Sequence, residues 1–447
     1  MLSHADALAH LDQILNAATA AGATDADAVF VGGEAVSVSV LKGDVEDITR
    51  SEDAEIGLRV FAGDRNATVA LSDFSRAAME EAASRAVAMA RAATADDYAG
   101  LAPRDLLAED LSADLDLDDG RDFDLPGLQQ AALATEAAAL GVAGITNSGG
   151  GGAQSARSMT ALATTNGFAA ARTGSNHALY ASVIAGTGAR MERDYAQSSQ
   201  RHMADLESAE TVGRRAGERT AARMDPAAVK SGRMPVLFDP RVSASLLGHL
   251  IAAISGAAIA RGTSFLDDPE AQLFAAGIEV LDDPHRPRGH RSRTFDGEGL
   301  PARPRKIVED GRLTGWLMNI ASARQLGLAP TGHAVRGVSG PPGTGTSNLH
   351  LAAGSKSRQD LIAETGNGVI LTELIGQGVN AVTGDYSRGA SGFLIENGEI
   401  TRPVSEITIA GNLKDMFASL TPASDLEFRH ATNAPTVRID GMTVAGG

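Results

Sequence analysis

Twelve Phe, four Tyr and one Trp stand against 50 glycines in 447 residues, so this chain cannot build its interior around aromatic rings. Its cores have to come from Ala, Val, Leu and Ile, which call for close approach of helices and strands, with glycine supplying the turns between them. At roughly 150 residues per domain, two to four units are expected, each large enough to bury its own core. Hydrophobic residues at 43% and charged residues at 21% exclude a disordered or fibrous chain.

Charge narrows the partners. Acids outnumber bases 56 to 39, a net charge of −17, and no Lys/Arg-rich run interrupts the excess, so no nucleic-acid partner is expected. Cysteine is absent, which removes disulfides, thiol nucleophiles and thiolate metal sites together and fits a reducing compartment. Residues 1–22 lack a cationic start followed by an apolar core, and no run reaches the ~18 apolar residues of a membrane span. The expectation is a cytoplasmic protein without a membrane partner.

Patterning predicts an α+β protein, with an N-terminal α/β region of two units and a β-rich C-terminal domain. In the first unit, 1–102, Ser3 caps a helix carrying Leu8, Leu11, Leu15 and Ala18, which stops at Gly22. Val36, Val38 and Val40, then Ile56, Leu58 and Val60, alternate as half-buried strands do. Ser72-Asp73 caps an Ala-rich helix with Met79, Ala83, Ala86 and Ala90. Residues 103–124 form an acidic linker with Asp114, Asp116, Asp118, Asp119, Asp122 and Asp124. It is not a calcium loop, because Gly120 falls one place late and Leu125 stands where the bidentate Glu belongs, so it reads as solvated. The middle unit, 125–228, has helices near 128–140 and 207–223 around strands near 159–165 and 177–184. In the domain 229–447, Asn397-Gly398 between Phe393-Leu394-Ile395 and Ile400 marks a hairpin, because its turn needs positive φ at both central residues.

Most chemistry sought in the sequence is missing. Residues 340–347 have the glycine spacing of a phosphate loop, but Thr346 replaces its Lys, and the alternating Asn348-Leu349-His350-Leu351 follows instead of a helix. None of the ten His is followed by Glu. His285 and His290 lie among Pro284, Arg286, Pro287 and Arg288, a basic loop that opposes a dication. His249, on a helix expected over 243–259, is read as a packed histidine, since no acid one turn away orients it. Gly389-Ala390-Ser391-Gly392 is a tight turn and not a nucleophile elbow. The most site-like stretch is 383–392, with Asp385, Tyr386 and Arg388 among glycines. Two readings stay open there, a site or a structural stretch in which Asp385 and Arg388 serve one another.

That stretch also carries a resemblance. Residues 382–416, opening Val382-Thr383-Gly384-Asp385-Tyr386-Ser387-Arg388 and closing Asn412-Leu413-Lys414-Asp415-Met416, resemble the C-terminal signature of the TldD/PmbA family, in its PmbA (TldE) branch. Gly57-Leu58-Arg59-Val60, Thr165-Asn166-Gly167, Pro235-Val236-Leu237-Phe238-Asp239-Pro240, Leu247-Gly248-His249-Leu250 and Gly345-Thr346-Ser347-Asn348-Leu349 extend the match along the chain. The resemblance implies a two-subunit cytoplasmic metallopeptidase in which TldD carries zinc on a His-Glu-x-x-x-His helix and a Cys near its C-terminus. The PmbA branch shares the fold without the metal. Aligned through Arg261-Gly262-Thr263-Ser264, the two His positions fall on Leu247 and Ala252 and the Glu on Gly248. None offers a lone pair to zinc, so the expectation is no cofactor in this chain and zinc in the partner subunit. His249, two residues from one position and three from the other, does not replace them.

The resemblance therefore implies a non-catalytic subunit that pairs as a heterodimer with a TldD-like zinc metallopeptidase and handles unfolded or modified peptides. Complexes of this kind are linked to peptide maturation, to proteolysis of small unstructured proteins and to an older description as modulators of DNA gyrase. One alternative is a homodimeric peptide-binding protein without a catalytic partner, and another is an independent hydrolase using carboxylates or Ser391. Asn166, Asp385, Tyr386, Arg388 and Asn412 are the candidate cavity or interface residues, and no residue is assigned as catalytic.

Overall fold

Two antiparallel meanders make up the first half of the chain in the computed structural model, which describes residues 1–446. Strands β1 (Asp25–Leu41), β2 (Asp44–Ala62) and β3 (Arg65–Leu71) form one, and β4 (Ile145–Thr164), β5 (Ala169–Ala185) and β6 (Glu192–Gln200) the other. β1 pairs with β4 from Asp27 opposite Thr164 to Val40 opposite Gly151, giving one sheet of order β3-β2-β1-β4-β5-β6. Residues 1–102 and 125–228, expected as two separate units, thus share a single sheet. Their strands are defined locally, but the seam joins positions as distant as Ala26 and Thr165, which no local pattern records.

Helices α1 (His4–Ala20) and α2 (Arg76–Ala92) cover one part of this sheet, packing Leu11, Ile14, Met79 and Ala83 against Ile56, Leu58 and Val60. Ser3 caps α1 in a reciprocal box with Asp6, as its sequence predicts. The cap of α2 is Ser75 and not Ser72-Asp73, because the Asp73 carboxylate takes the Ser75 N–H into a turn and delays the helix. Helices α3 (Leu125–Leu140) and α4 (Ala209–Ala222) cover the rest and approach so closely that a Cβ on Gly213 would lie 2.1 Å from the Thr135 carbonyl.

The acidic linker 103–124 is strapped down instead of solvated. Leu115 is buried, and the Leu117 carbonyl accepts the Ser175 N–H at 2.9 Å. Asp116, Asp118 and Asp119 meet Arg288 at 2.6 Å, Arg157 at 3.0 Å and His177 at 3.0 Å. Asp116 and Asp118 are thus counter-charges for arginines distant in the sequence, while Asp114, Asp122 and Asp124 stay exposed.

The second half begins with β7 (Gly232–Phe238), α5 (Pro240–Ala253), α6 (Gly256–Ala260), β8 (Val280–Asp282), β9 (Arg305–Glu309) and β10 (Arg312–Leu313). It continues through α7 (Ile320–Leu326), β11 (Ala334–Val335), β12 (Gly343–Thr344), β13 (Leu349–Leu351), α8 (Arg358–Thr365) and β14 (Gly368–Ile375). β15 (Asp385–Glu396), β16 (Glu399–Asn412), α9 (Leu413–Ala418), β17 (Thr421–Pro422), β18 (Thr432–Asn433) and β19 (Val437–Ala445) complete it. Strands run in the order β16-β15-β14-β7-β19-β17, and β16 also pairs with β19 at Thr408–Ala410, so five strands close into a ring. Closure leaves those strands without free edges. α5 packs Leu246, Leu247 and Leu250 into the core that lines this ring, among Val236, Val369, Ile409 and Val437. The β15–β16 hairpin turns at Asn397 and Gly398 with φ of 55° and 79°, as expected. Sheet and helix in both halves make the protein α+β. Among the described residues no helix is long and apolar enough to cross a membrane.

Candidate functional site

The site is built where α5 crosses β15. Asp239 caps α5 by accepting the Arg241 N–H at 3.1 Å, and Pro240 takes the first turn, where a missing N–H costs nothing. The helix expected over 243–259 is broken. Ser255 adopts an extended conformation, Gly256 donates to the Leu317 carbonyl at 2.8 Å, and α6 starts afresh. A Cβ on Gly256 would lie 2.4 Å from the Met318 sulfur, so glycine there allows the start of α6 to pack closely on Met318 and Ser322.

On α5 the three positions aligned with a zinc helix do not converge. Leu247 is 2% exposed and packs in the core, whereas Gly248 and Ala252 face outward, with no atom within 4 Å of a Cβ built on Gly248. With no donor atom among the three side chains, these residues do not fit a zinc ion. Among the described residues no group of three or more His, Asp or Glu is gathered as a metal-binding set.

Strand β15 presents two different faces to its surroundings. Tyr386, 1% exposed, points into the core, and Arg388 shares its face by the period of two, while Asp385 and Ser387 are exposed. Asp385 and Arg388 therefore do not serve one another, which corrects the structural reading of this stretch. The Tyr386 ring meets His249 of α5 edge-on, with centroids 5.8 Å apart. The Tyr386 hydroxyl, the His249 Nε2 and the Arg388 Nε are all buried without a hydrogen-bond partner of good geometry. Burial pushes the Tyr386 phenol up to about 12 although Arg388 pulls the other way, and burial followed by the Arg388 charge pushes His249 down. His249 is thus a neutral imidazole held against a neutral phenol.

On the outer face, Asn412 caps α9 and donates to the Thr383 carbonyl at 2.9 Å and to Asp385 Oδ1 at 3.2 Å. Thr383 donates to Asp385 Oδ2 at 2.7 Å, and these bonds, Thr383 first and Asn412 second, hold the Asp385 carboxyl below its ordinary range. The structure therefore brings Asp385 and Asn412 together and sets Tyr386 and Arg388 behind them. Asn166 stands apart, donating to the Ala102 carbonyl at 2.7 Å and accepting from Thr164 at 2.6 Å, where it shapes the turn between β4 and β5. The meeting of His249 with Tyr386 was not legible, since nothing near position 249 signals a strand 137 residues further on.

Models of the PmbA/TldA metallopeptidase match domain 1 at residues 26–90, the central domain at 112–224 and the C-terminal domain at 231–446. The chain belongs to the PmbA/TldD family. It is 38% identical to Metalloprotease PmbA of Escherichia coli O157:H7 over 414 residues, 92% of this chain and 90% of that one. A Metalloprotease PmbA homolog of Haemophilus influenzae is 35% identical over 432 residues, 96% and 94% of the two chains. Among solved structures, the fold matches TldE of Thermococcus kodakarensis with a TM-score of 0.86 at 19% identity, over 98% of this chain and 100% of that one. It also matches a Bacteroides thetaiotaomicron protein described as a candidate modulator of DNA gyrase, with a TM-score of 0.91 at 24% identity over 98% of both.

Proposed function

We propose that this chain is the non-catalytic subunit of a TldD/TldE-type metallopeptidase complex that acts on unfolded or modified peptides in the cytoplasm. The observation that carries the reading is α5, where a scaffold matched by all three family domains keeps the helix but presents Leu247 to the core and Gly248 and Ala252 outward. The relatives named as metalloproteases support the reaction class, while α5 has nothing to hold the ion that such a reaction uses. In the partner, zinc would supply a water of pKa near 7. This chain's contribution is shape. Its neutral His249–Tyr386 pair keeps the α5–β15 junction rigid, and Asp385 and Asn412 present a polar surface to a peptide or to the partner.

The test is cleavage of an unstructured peptide by the cognate His-Glu-x-x-x-His protein, alone and mixed with this chain. Cleavage only in the mixture, with co-elution of the two chains, is the expected outcome. Equal cleavage by the partner alone, or failure of the chains to associate, defeats the reading.

A further inference from the structure

A cavity of 590 Å³ between the N-terminal sheet and the second half of the chain has a charge opposite to that of the molecule. The chain carries a net −17, yet five arginines line this cavity, Arg172, Arg201, Arg291, Arg293 and Arg336, against one carboxylate, Asp296. Asp296 offsets part of the Arg293 charge, and its oxygens are otherwise taken by backbone donors. Its Oδ1 accepts the backbone N–H groups of Glu298 at 2.9 Å and Leu300 at 3.0 Å, and its Oδ2 that of Ala334 at 2.9 Å. Arg336 reaches Asp27 at 2.6 Å, a carboxylate it shares with Arg59, and Arg291 is exposed.

Two arginines, Arg172 and Arg201, remain without a counter-charge, and Arg293 feels the charges of Asp296 and Asp282 but forms no ion pair with either among the described residues. Among the described residues, Arg201 donates only to carbonyl groups, those of Ser175 at 3.0 Å, Gly289 at 3.5 Å and His290. Arg293, 8% exposed, donates to the Gly345 carbonyl at 3.1 Å and leaves its Nε buried and unbonded. Arg172 forms neither an ion pair nor a hydrogen bond among the described residues. Its Nη1 is buried without a partner, and its guanidinium lies over Phe295, 5.6 Å from the ring centroid. Burial, then the charges of Arg293 and Arg201, push Arg172 down to about 10. A largely enclosed charge without a counter-charge is an unfavourable arrangement, and Arg172, Arg201 and Arg293 around one space also repel each other. What relieves all three is an anion whose oxygens accept from their planar forks. The volume suits a small molecule or the end of a peptide.

We propose that this cavity binds an oxyanion ligand, carboxylate or phosphate, through Arg172, Arg201 and Arg293. Two sources share that chemistry, a free multivalent anion and the acidic end of a peptide. The cavity adjoins the C-terminal end of α5, since the lining residue Thr344 is hydrogen-bonded at 2.9 Å to Ser255, two residues beyond that helix.

Calorimetric titration of the full chain alone, at ionic strength fixed with NaCl, tests the site with citrate, with inorganic phosphate, and with an acidic tetrapeptide and its neutral amide. Saturable one-to-one binding of citrate, phosphate or the acidic peptide is expected, weakened at least tenfold by Arg172→Gln and by Arg293→Gln and unchanged by Arg76→Gln on the surface of α2. Binding of citrate or phosphate identifies a free anion, and binding of the acidic peptide alone identifies the substrate's end. Should Arg172→Gln not fold, Arg172→Lys and Arg293→Gln carry the comparison. No saturable binding, or binding that the cavity variants leave intact, overturns the proposal. Because no partner subunit is present, failure of the mixing experiment above does not touch this result.

Discussion

Glu298 shows how far one side chain can be moved from its ordinary chemistry. It is 7% exposed, and its Oε2 accepts the Ile320 N–H at the start of α7 at 2.8 Å. Burial pushes its carboxyl up to about 7, the Ile320 bond pulling down and the neighbouring Asp296 charge pushing up. The folded state therefore holds a proton that the unfolded chain releases near 4.5. A folded pKa above the unfolded one gives stability that is full below pH 4.5 and is lost as the pH rises to about 7, up to about 3 kcal/mol. Glu298→Gln keeps a carbonyl for Ile320 and removes the titration. Urea unfolding at pH 5 and pH 8 should show a smaller loss of stability on going to pH 8 in the variant, and equal losses in the two proteins would refute this account. Nothing in Gly297-Glu298-Gly299 marks the carboxyl as buried. The same blindness hid the cavity arginines, which stand at positions 172, 201 and 293 and form a group only in three dimensions. By contrast, the lack of donors at Leu247, Gly248 and Ala252 was legible, because a missing lone pair is a property of the residue itself.

Elements were legible to the extent that local patterns specify them. The cap at Ser3, the turn at Asn397-Gly398 and the alternation through Val36–Val38–Val40 reappear in the fold, whereas Ile56 to Phe61 is a strand buried on both faces and not a half-buried one. The first half of β2 was not legible, since Asp44 to Glu55 is mostly exposed and lacks apolar alternation, and its pairing with β1 alone makes it a strand. The turn between β1 and β2 depends in turn on a residue from another element. Lys42 and Gly43, at φ of 58° and 87°, both donate their N–H groups at 2.8 Å to the fully buried Glu136 of α3. Ser148 of β4 also donates to the same carboxylate. One side chain thus ties a helix, a hairpin tip and an irregular stretch of β4. Glu136→Ala orphans three donors and should destabilise the protein by about 3 kcal/mol or more, with Glu136→Gln costing less because one acceptor survives. Chemical denaturation reads both. An alanine variant within about 1 kcal/mol of the parent would mean that water replaces the carboxylate and that the tie is dispensable.

At the scale of the whole molecule, the question is what makes two halves with separate cores behave as one body. α+β content was legible from composition and periodicity. The shared N-terminal sheet and the closed C-terminal ring were not, since both depend on pairings between distant strands. The join between the halves was equally hidden, and beside small apolar clusters such as that of Val29, Leu162 and Phe168 with Phe295 it includes an ionic clamp. Asp194 on β6 is gripped by both nitrogens of Arg241 on α5, at 2.7 and 3.1 Å, with Arg241 lying over the Tyr195 ring at 5.0 Å. Alongside, Arg223 at the end of α4 reaches Glu373 of β14 at 2.7 Å and Glu192 of β6 at 3.2 Å. Burial alone would raise the Asp194 carboxyl, but the Arg241 fork overrides it and holds the group below its ordinary range. A depressed folded pKa gives stability that is present above the unfolded value of 3.8 and is lost as the pH falls through the folded one, so acid should loosen this join. Asp194→Ala leaves Arg241 partly buried without its counter-charge and should cost about 3 kcal/mol or more. Because the lost contact lies between the cores and not within either, the deficit should appear as lost cooperativity. Scanning calorimetry of the variant at pH 7 should then resolve two transitions where the parent shows one. A single transition, merely shifted down, would mean that the apolar contacts between the halves couple them without the clamp.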